Sequence, residues 1–451
     1  MNSLAARVPG LLRERSFRRY WTAQSVSLIG DQISLIAIPL AAVLVLGADA
    51  AEMGLLKTAE LLPALLLSLP AGAWIDERAR RRRIMIAVDL FRALLVASLT
   101  VAYVLDLLTF AQLYVVAFAL GTLTVLFEIC NATLFVSLVP KDCFVAGNSL
   151  VNGSRAMAFV SGPATGGMLV QLLAAPLALL VDALTFLHSA ALLARIAPTE
   201  PPPAVRAKGY VSEGLRWALR HPTMRAMIAA SGTVQFFNLM FHTLFVLYAT
   251  TELGLKAGLL GAILGVGAVG GLIGAAAAGS VVRRIGIGPA ILLGFAGFTL
   301  PLLLVPLAGG PTSLVIALLV LSEFLSSIGV MLVDISSGSL LAALMPDALR
   351  SRITGASRTL NYGFRPLGAL AGGALGTALG LRPTLWIATV GATLCLLWLF
   401  PSPVPRLRTL PGAATSSAPP LGSDPAPHPP PRIANQANQE GRTNQQPRRT
   451  T

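Results

Sequence analysis

Between Trp21 and Phe400 one long apolar run follows another, each of about the length a helix needs to cross a bilayer, roughly 20 residues. Inside lipid a segment must satisfy its own backbone hydrogen bonds, which leaves only helices and closed barrels, and runs this long and this rich in Leu and Ala form helices. The expected fold class is therefore all-α: a polytopic membrane protein of about twelve transmembrane helices in two pseudo-symmetric six-helix bundles. Composition agrees, with 55% hydrophobic and only 12% charged residues, against about 25% charged in soluble domains. The net charge of +14 does not call for nucleic acid, because the basic residues sit in short loops between apolar runs. Cys130, Cys143 and Cys395 fall in or beside those runs without metal-ligand spacing, so they read as packing residues. The run from Trp21 to Leu44 is too long for a signal h-region and is interrupted by Asp31 and Gln32, so it reads as the first span, uncleaved.

The spans of the first half are Trp21 to Leu44, Gly54 to Trp74, Ile84 to Leu105, Leu113 to Leu138, Asn148 to Leu173 and Leu177 to Ile196. Those of the second are Met227 to Tyr248, Leu259 to Val282, Ile287 to Leu307, Leu314 to Leu341, Thr354 to Leu379 and Leu381 to Phe400. Arg13, Arg15, Arg18 and Arg19 precede the first span, and Arg78 and Arg80 to Arg83 follow the second. Lys141, Arg206, Lys208, Arg283, Arg284, Arg350 and Arg352 occupy later alternate loops, while the other set of loops carries little beyond Lys256 and Arg382. The positive-inside rule then puts both termini in the cytoplasm, with an even number of spans, and the expected location is the cell inner (plasma) membrane. This gives a cytoplasmic N-terminus over 1–20, six-helix bundles over 21–196 and 227–400, and a cytoplasmic linker over 197–226. In the linker Val211, Leu215, Ala218 and Leu219 share one face of a surface helix. Residues 401–451, rich in Pro, Ser, Asn and Gln, read as a disordered cytoplasmic tail.

The two halves match in register. Glu128 stands twelve residues before Pro140 and Asp334 twelve before Pro346, each with a polar residue three positions on, Asn131 and Ser337. Ser154-Arg155 precedes Pro163 by the spacing at which Ser357-Arg358 precedes Pro366, and both prolines open glycine-rich stretches. Charge at mid-bilayer costs a few kcal/mol and is rarely kept without a use. Gln24, Ser27, Asp31 and Ser34 form a polar stripe on span one, and Thr124, Glu128 and Asn131 one on span four. Ser231, Gln235, Asn238 and His242 form one on span seven, and Glu323, Ser327 and Asp334 one on span ten. Four such stripes on the first helices of successive three-helix units imply a shared wet cavity, and parallel halves around a midplane site describe a large class of secondary transporters.

The opening FRRYWTAQSVSLIGDQIS, the loop GAWIDERARRRR, the segment from Phe127 to Pro140, EGLRWALRHP and LMPDALRSRITGASR resemble the major facilitator superfamily, in particular its bacterial drug and siderophore exporters of the macrolide and enterobactin efflux type. The resemblance covers roughly Phe17 to Phe400 and implies alternating access by a rocker-switch and, commonly, proton-driven export. Within that family's loop signature Gly72, Asp76, Arg80 and Arg81 fit, while Glu77 and Ala79 depart from it. An aspartate beside arginines at helix ends can close the cytoplasmic side and release as the halves rock, and the alternative is that the arginines only set topology. Glu128 and Asp334, nearer the cytoplasmic ends, read as gate groups pairing with the loop arginines or with Arg155 and Arg358 rather than as proton carriers.

Asp31, a lone carboxyl near mid-depth, reads as a proton carrier or substrate ligand, with Glu323 as its counterpart in the second half and Gln24, Gln235, Asn238 and His242 as further cavity groups. The second reading of Asp31 is a carboxylate hydrogen-bonded to Gln32 or a neighbouring helix. Asp89 and Arg92, one turn apart, read as a local ion pair. No nucleophile with its base, no metal cluster and no G-x-x-x-x-G-K-[ST] loop is present, which argues against an enzyme and against ATP-driven transport. The expected partners are a small-molecule substrate, protons as coupling ion and the lipid bilayer, with no nucleic acid, no cofactor and no metal, and the chain is expected to be a monomer. Export of an amphipathic or cationic compound leads. Uptake of a metabolite and a non-transporting sensor remain as alternatives.

Overall fold

A computed structural model describes residues 10–78, 80–197, 216, 218–345 and 350–409, with the side chains of Leu69, Ala73, Asp76, Lys141, 350–352 and 354–362 outside the described set. All regular structure in it is helical. The first half contains α1 (Arg15–Leu44), α2 (Ala50–Asp76), α3 (Arg81–Val104), α4 (Phe110–Leu138), α5 (Phe144–Leu173) and α6 (Ala175–Ala194). The second contains α7 (Pro222–Thr251), α8 (Ala257–Ile285), α9 (Ile287–Thr299, carried on by the turns through Leu307), α10 (Thr312–Leu344), α11 (Arg350–Leu379) and α12 (Leu381–Thr393, continued by Cys395–Leu399). Among the described residues, ten of these meet the length and apolarity of a membrane span. α2 and α11 complete the expected twelve and run 27 and 30 residues. The chain is an integral membrane protein.

Local chemistry sets the boundaries. Asp49 caps α2 by accepting from the Glu52 N–H at 2.8 Å while Glu52 accepts from the Asp49 N–H at 2.8 Å, a reciprocal box that satisfies two orphan donors. Thr109 caps α4 through the Gln112 N–H at 3.3 Å. One residue at positive φ turns α8 into α9 (Gly286, φ 93) and α11 into α12 (Gly380, φ 91). The equivalent turn between α5 and α6 is made by Ala174 at φ 72 and ψ 153, a region that is nearly glycine-only.

Lipid tails are as apolar as leucine, so helix association here rests on close packing and polar contacts rather than on removal of apolar surface from water. At the end that carries the termini, Phe17 and Tyr20 of α1 are fully buried with Phe127 and Phe135 of α4, and the Tyr20 hydroxyl donates to Asn131 Oδ1 at 2.7 Å. Arg19 donates to the Arg195 carbonyl at 2.5 Å and Arg82 to the Ile196 carbonyl. Two cations from α1 and α3 thus cap the negative end of α6. The loop arginines therefore brace the base of the bundle as well as marking its side of the membrane.

The linker over 198–215, with most of its expected surface helix, lies outside the described residues. Residues 218–220 are helical, with Ala218 buried against Met224 and Ile353. Residues 401–409, read from sequence as the start of a disordered tail, are instead packed. Val404 is fully buried, the Gly288 N–H donates to the Leu407 carbonyl at 2.8 Å, and Arg408 Nη1 donates to the Ile285 carbonyl at 2.9 Å. The strap supplies partners to backbone groups that the tight α8–α9 turn leaves open, which a composition-based reading does not detect. The remainder, 410–451, lies outside the described residues.

Candidate functional site: a cavity between the two halves

The halves meet at the end away from the termini. There α2 crosses α11 and α5 crosses α8, each through glycine. A Cβ on Gly54 would stand 2.8 Å from the Gly373 Cα, and one on Gly167 would stand 2.8 Å from the Gly261 Cα. Only hydrogen at both positions lets the backbones approach this closely. Polar contacts join the same crossings: the Gly258 N–H donates to Gln171 Oε1 at 2.9 Å, and the Thr58 hydroxyl, 2.7 Å from the Gly54 carbonyl, also lies 3.4 Å from the Pro366 carbonyl. Towards the end with the termini the halves diverge. Glu128 and Asp334 are exposed there, and a Cβ on Gly72 would meet nothing within 4 Å.

Between the crossings and the open end lies a cavity of about 630 Å³, inside the range of small-molecule sites. Its walls are largely apolar, with Phe159, Phe245, Phe295 and Phe298 among them, and its polar groups come from both halves. α7 presents Ser231, Gln235, Asn238 and His242, and α10 presents Glu323, Ser327 and Asp334, so both second-half stripes face the cavity. His242 stands edge-on to Phe241 with ring centres 5.2 Å apart.

The first half contributes differently from the expectation. Neither Gln24 nor Asp31 is among the described residues that line this cavity. Gln32, Leu35, Ile36 and Pro39 of α1 do so instead. The α1 stripe turns largely into its own half: Gln24 is 6% exposed, and Ser34, 8% exposed, donates to Asp182 on α6. A buried carboxylate needs donors, and α1 supplies one. Asp31 itself remains exposed.

Three charged groups that the sequence reading passed over line the cavity: Lys57 and Glu60 on α2 and Arg365 on α11. Lys57 Nζ is 2.9 Å from Glu60 Oε2. Arg365 acts electrostatically on Asp334, and with its amide oxygen turned towards the guanidinium, Gln235 accepts from Arg365 Nε at 3.3 Å and Nη2 at 3.1 Å. Lys57 thus has a carboxylate beside it, and Arg365 has one within electrostatic reach. Glu323 is the contrasting group: it is 8% exposed, it lines the cavity, and its Oε1 has no hydrogen-bond partner. Gln32 Nε2 and Asn238 Oδ1 are likewise buried without partners on the same cavity. The cavity therefore offers two acceptors and one donor to an occupant.

Of the expected gate groups, Arg80 is exposed at the start of α3 while Arg81, next to it, is 4% exposed. Arg78 lies over the Trp74 ring at 3.6 Å and donates to the Trp74 carbonyl at 2.9 Å. Arg155 is exposed on α5 and acts electrostatically on Tyr20. The side chains of Asp76 and Arg358 lie outside the described residues.

This geometry is that of a two-bundle membrane transporter with a central cavity, and the sequence agrees with it. Residues 20–369 match the Major Facilitator Superfamily, and the chain belongs to it. It is 30% identical over 386 residues to a protein of Mycobacterium tuberculosis described as multidrug efflux pump Tap, covering 79% of this chain and 85% of that one. The pump of the same description from Mycolicibacterium fortuitum is 26% identical over 407 residues, covering 84% and 93%. Among solved structures, a bacterial homologue of the iron transporter ferroportin in its inward-facing state superposes with a TM-score of 0.70 at 19% identity, covering 86% of this chain and 98% of that one. The outward-facing state of such a homologue gives 0.56 at 20% identity, covering 86% and 99%. The chain is a transporter and not an enzyme.

Proposed function

We propose that the protein is a proton-coupled exporter of small amphipathic cations, working by alternating access in the plasma membrane with both termini in the cytoplasm. The observation that carries this reading is Glu323, a buried carboxylate with an unpartnered oxygen, set in an aromatic cavity where Lys57 lies beside Glu60 and Arg365 is within electrostatic reach of Asp334. Among the described lining residues the carboxylates exceed Lys and Arg by one, so an occupant that brings a positive charge completes the balance. Similarity to proteins described as multidrug efflux pumps supports export of drug-like compounds. The arginine-rich loops support cytoplasmic termini. With that orientation the glycine crossings shut the external side and the cavity faces the cytoplasm, the side from which an exporter loads.

Alternating access then requires the crossings to open and the loop between α2 and α3 to close. Gly72, Asp76, Arg80 and Arg81, with Glu128, Asp334, Arg155 and Arg358, are the groups we assign to that closure. Glu323, with Gln235, Asn238 and His242, is assigned to substrate and proton, and Asp31 to proton coupling. The test is binding of tetraphenylphosphonium to purified protein with and without Glu323→Gln. A drop in affinity of about tenfold, the worth of one charge-assisted contact, is expected, and unchanged affinity would remove Glu323 from the substrate site.

A further inference from the structure

Among the described residues, three polar atoms of the cavity wall are buried without a hydrogen-bond partner: Glu323 Oε1 on α10, Asn238 Oδ1 on α7 and Gln32 Nε2 on α1. Other polar groups of the same wall are already answered. Lys57 holds Glu60 at 2.9 Å, the Thr243 hydroxyl donates to the Leu239 carbonyl at 2.6 Å, and the Ser326 hydroxyl donates to the Phe298 carbonyl at 2.8 Å. Leaving a buried donor or acceptor unpaired costs more than a made hydrogen bond returns, so three on one wall mark places where an occupant supplies the bond.

Glycines on neighbouring helices fix the stems of two of these side chains. A Cβ on Gly267 of α8 would stand 3.1 Å from the Glu323 Cβ, and one on Gly162 of α5 would run into the Gln32 Cβ and stand 2.8 Å from its Cγ. α8 and α5 thus press on the first carbons of Glu323 and Gln32, which leaves the carboxyl and amide ends little freedom to find partners elsewhere. The three groups come from both halves of the molecule, Gln32 from the first and Asn238 and Glu323 from the second. Their chemistry selects among cations, for two are acceptors, one of them charged, and the third is a donor. A quaternary ammonium or phosphonium ion suits the carboxylate and the aromatic wall, yet it carries no N–H and leaves the Asn238 oxygen unpaired. A primary or secondary ammonium group carries at least two N–H donors, and an alkyl amine like that of lysine is protonated at neutral pH.

We propose that the substrates of this cavity are protonated primary or secondary amines that also carry a hydroxyl, ether or carbonyl oxygen. One N–H donates to Glu323, a second donates to Asn238, and the ligand oxygen accepts from Gln32 Nε2, while the apolar body lies against the phenylalanine wall. An occupant held at all three points joins α1 of the first half to α7 and α10 of the second. The inference rests on the cation reading above and narrows it. It also ranks tetraphenylphosphonium, which brings charge without a donor, as a weaker ligand than such amines.

The experiment is isothermal titration calorimetry on the purified full-length protein with two ligands of one skeleton: propranolol, a secondary amine with a hydroxyl and an ether oxygen, and its N,N-dimethyl quaternary derivative. The wild type should bind propranolol about tenfold or more tightly than the quaternary ion, the worth of one charge-assisted hydrogen bond. Asn238→Leu should weaken propranolol several-fold more than the quaternary ion, whereas Gln32→Leu should weaken the two alike, because both keep the oxygens. Glu323→Gln should weaken both, since both are cations. Equal or tighter binding of the quaternary ion by the wild type, or no binding of propranolol, would overturn the amine class, and that comparison depends on no variant folding. A preference of wild-type size in folded Asn238→Leu would overturn it as well. Both affinities unchanged in Glu323→Gln would instead overturn the cation reading on which the inference rests.

Discussion

Substituting Gly167 by Val tests whether the glycine crossings hold the molecule in its present state. A Cβ at this position would stand 2.8 Å from the Gly261 Cα and 3.1 Å from its nitrogen, both backbone atoms that no rotamer change can move. Ordinary carbon–carbon contact needs about 3.5–4.0 Å, so α5 and α8 must part by about 0.7–1.2 Å or more at the end away from the termini. Overpacking on this scale costs about 1–3 kcal/mol, and the cost falls only on the state in which this crossing is closed. The balance between the two ends should therefore shift about 5- to 150-fold towards opening at the crossings. Pulsed electron spin resonance reads this directly, with labels at Leu107 and Gly309, in the α3–α4 and α9–α10 loops at that end, in a background lacking Cys130, Cys143 and Cys395. The distance distribution should gain a longer component in Gly167→Val and keep the wild-type shape in the control Gly338→Ala, where a Cβ meets nothing within 4 Å. An unchanged distribution in folded Gly167→Val would refute the argument from close approach.

Ala174→Gly should stabilise the purified protein by about 1 kcal/mol, because Ala174 holds φ 72 and ψ 153 where glycine carries no Cβ penalty; a lowered thermal midpoint would contradict it. Replacing Arg19 or Arg82 with Ala removes a cation from the carbonyl end of α6 and should cost about 0.5–2 kcal/mol in thermal stability while leaving tetraphenylphosphonium affinity unchanged. Asp76→Ala and Arg80→Ala should lower turnover several-fold with little change in substrate affinity, since closure groups bias a conformational equilibrium without touching ligand. Affinity falling in step with turnover would refute that assignment.

Much of the fold was legible because a bilayer imposes a local rule: each span must be long, apolar and helical, and the loops must sort their charge. All twelve spans, the paired halves and the cavity stripes on α7 and α10 follow from that rule. What a neighbouring helix offers is not local. Gln24, Ser27, Asp31 and Ser34 read as a cavity stripe, yet Ser34 is drawn inward by Asp182, which α6 brings against Gly30. Asp182, Lys57 and Arg365 are charges inside otherwise apolar spans, the same signal that marks Glu323. The packed strap over 401–409 was hidden because its hydrogen bonds go to backbone of the α8–α9 turn, a partner that composition does not reveal.

The central claim is coupling of export to protons, and the most direct measurement is tetraphenylphosphonium accumulation in everted vesicles holding the purified protein under an imposed proton gradient, acid inside, with the membrane potential clamped. The account predicts accumulation that rises with the gradient, collapses when a protonophore is added and is lost in Asp31→Asn while downhill exchange persists. Accumulation indifferent to the gradient, or movement of the probe out of the vesicles along with the protons, would contradict it.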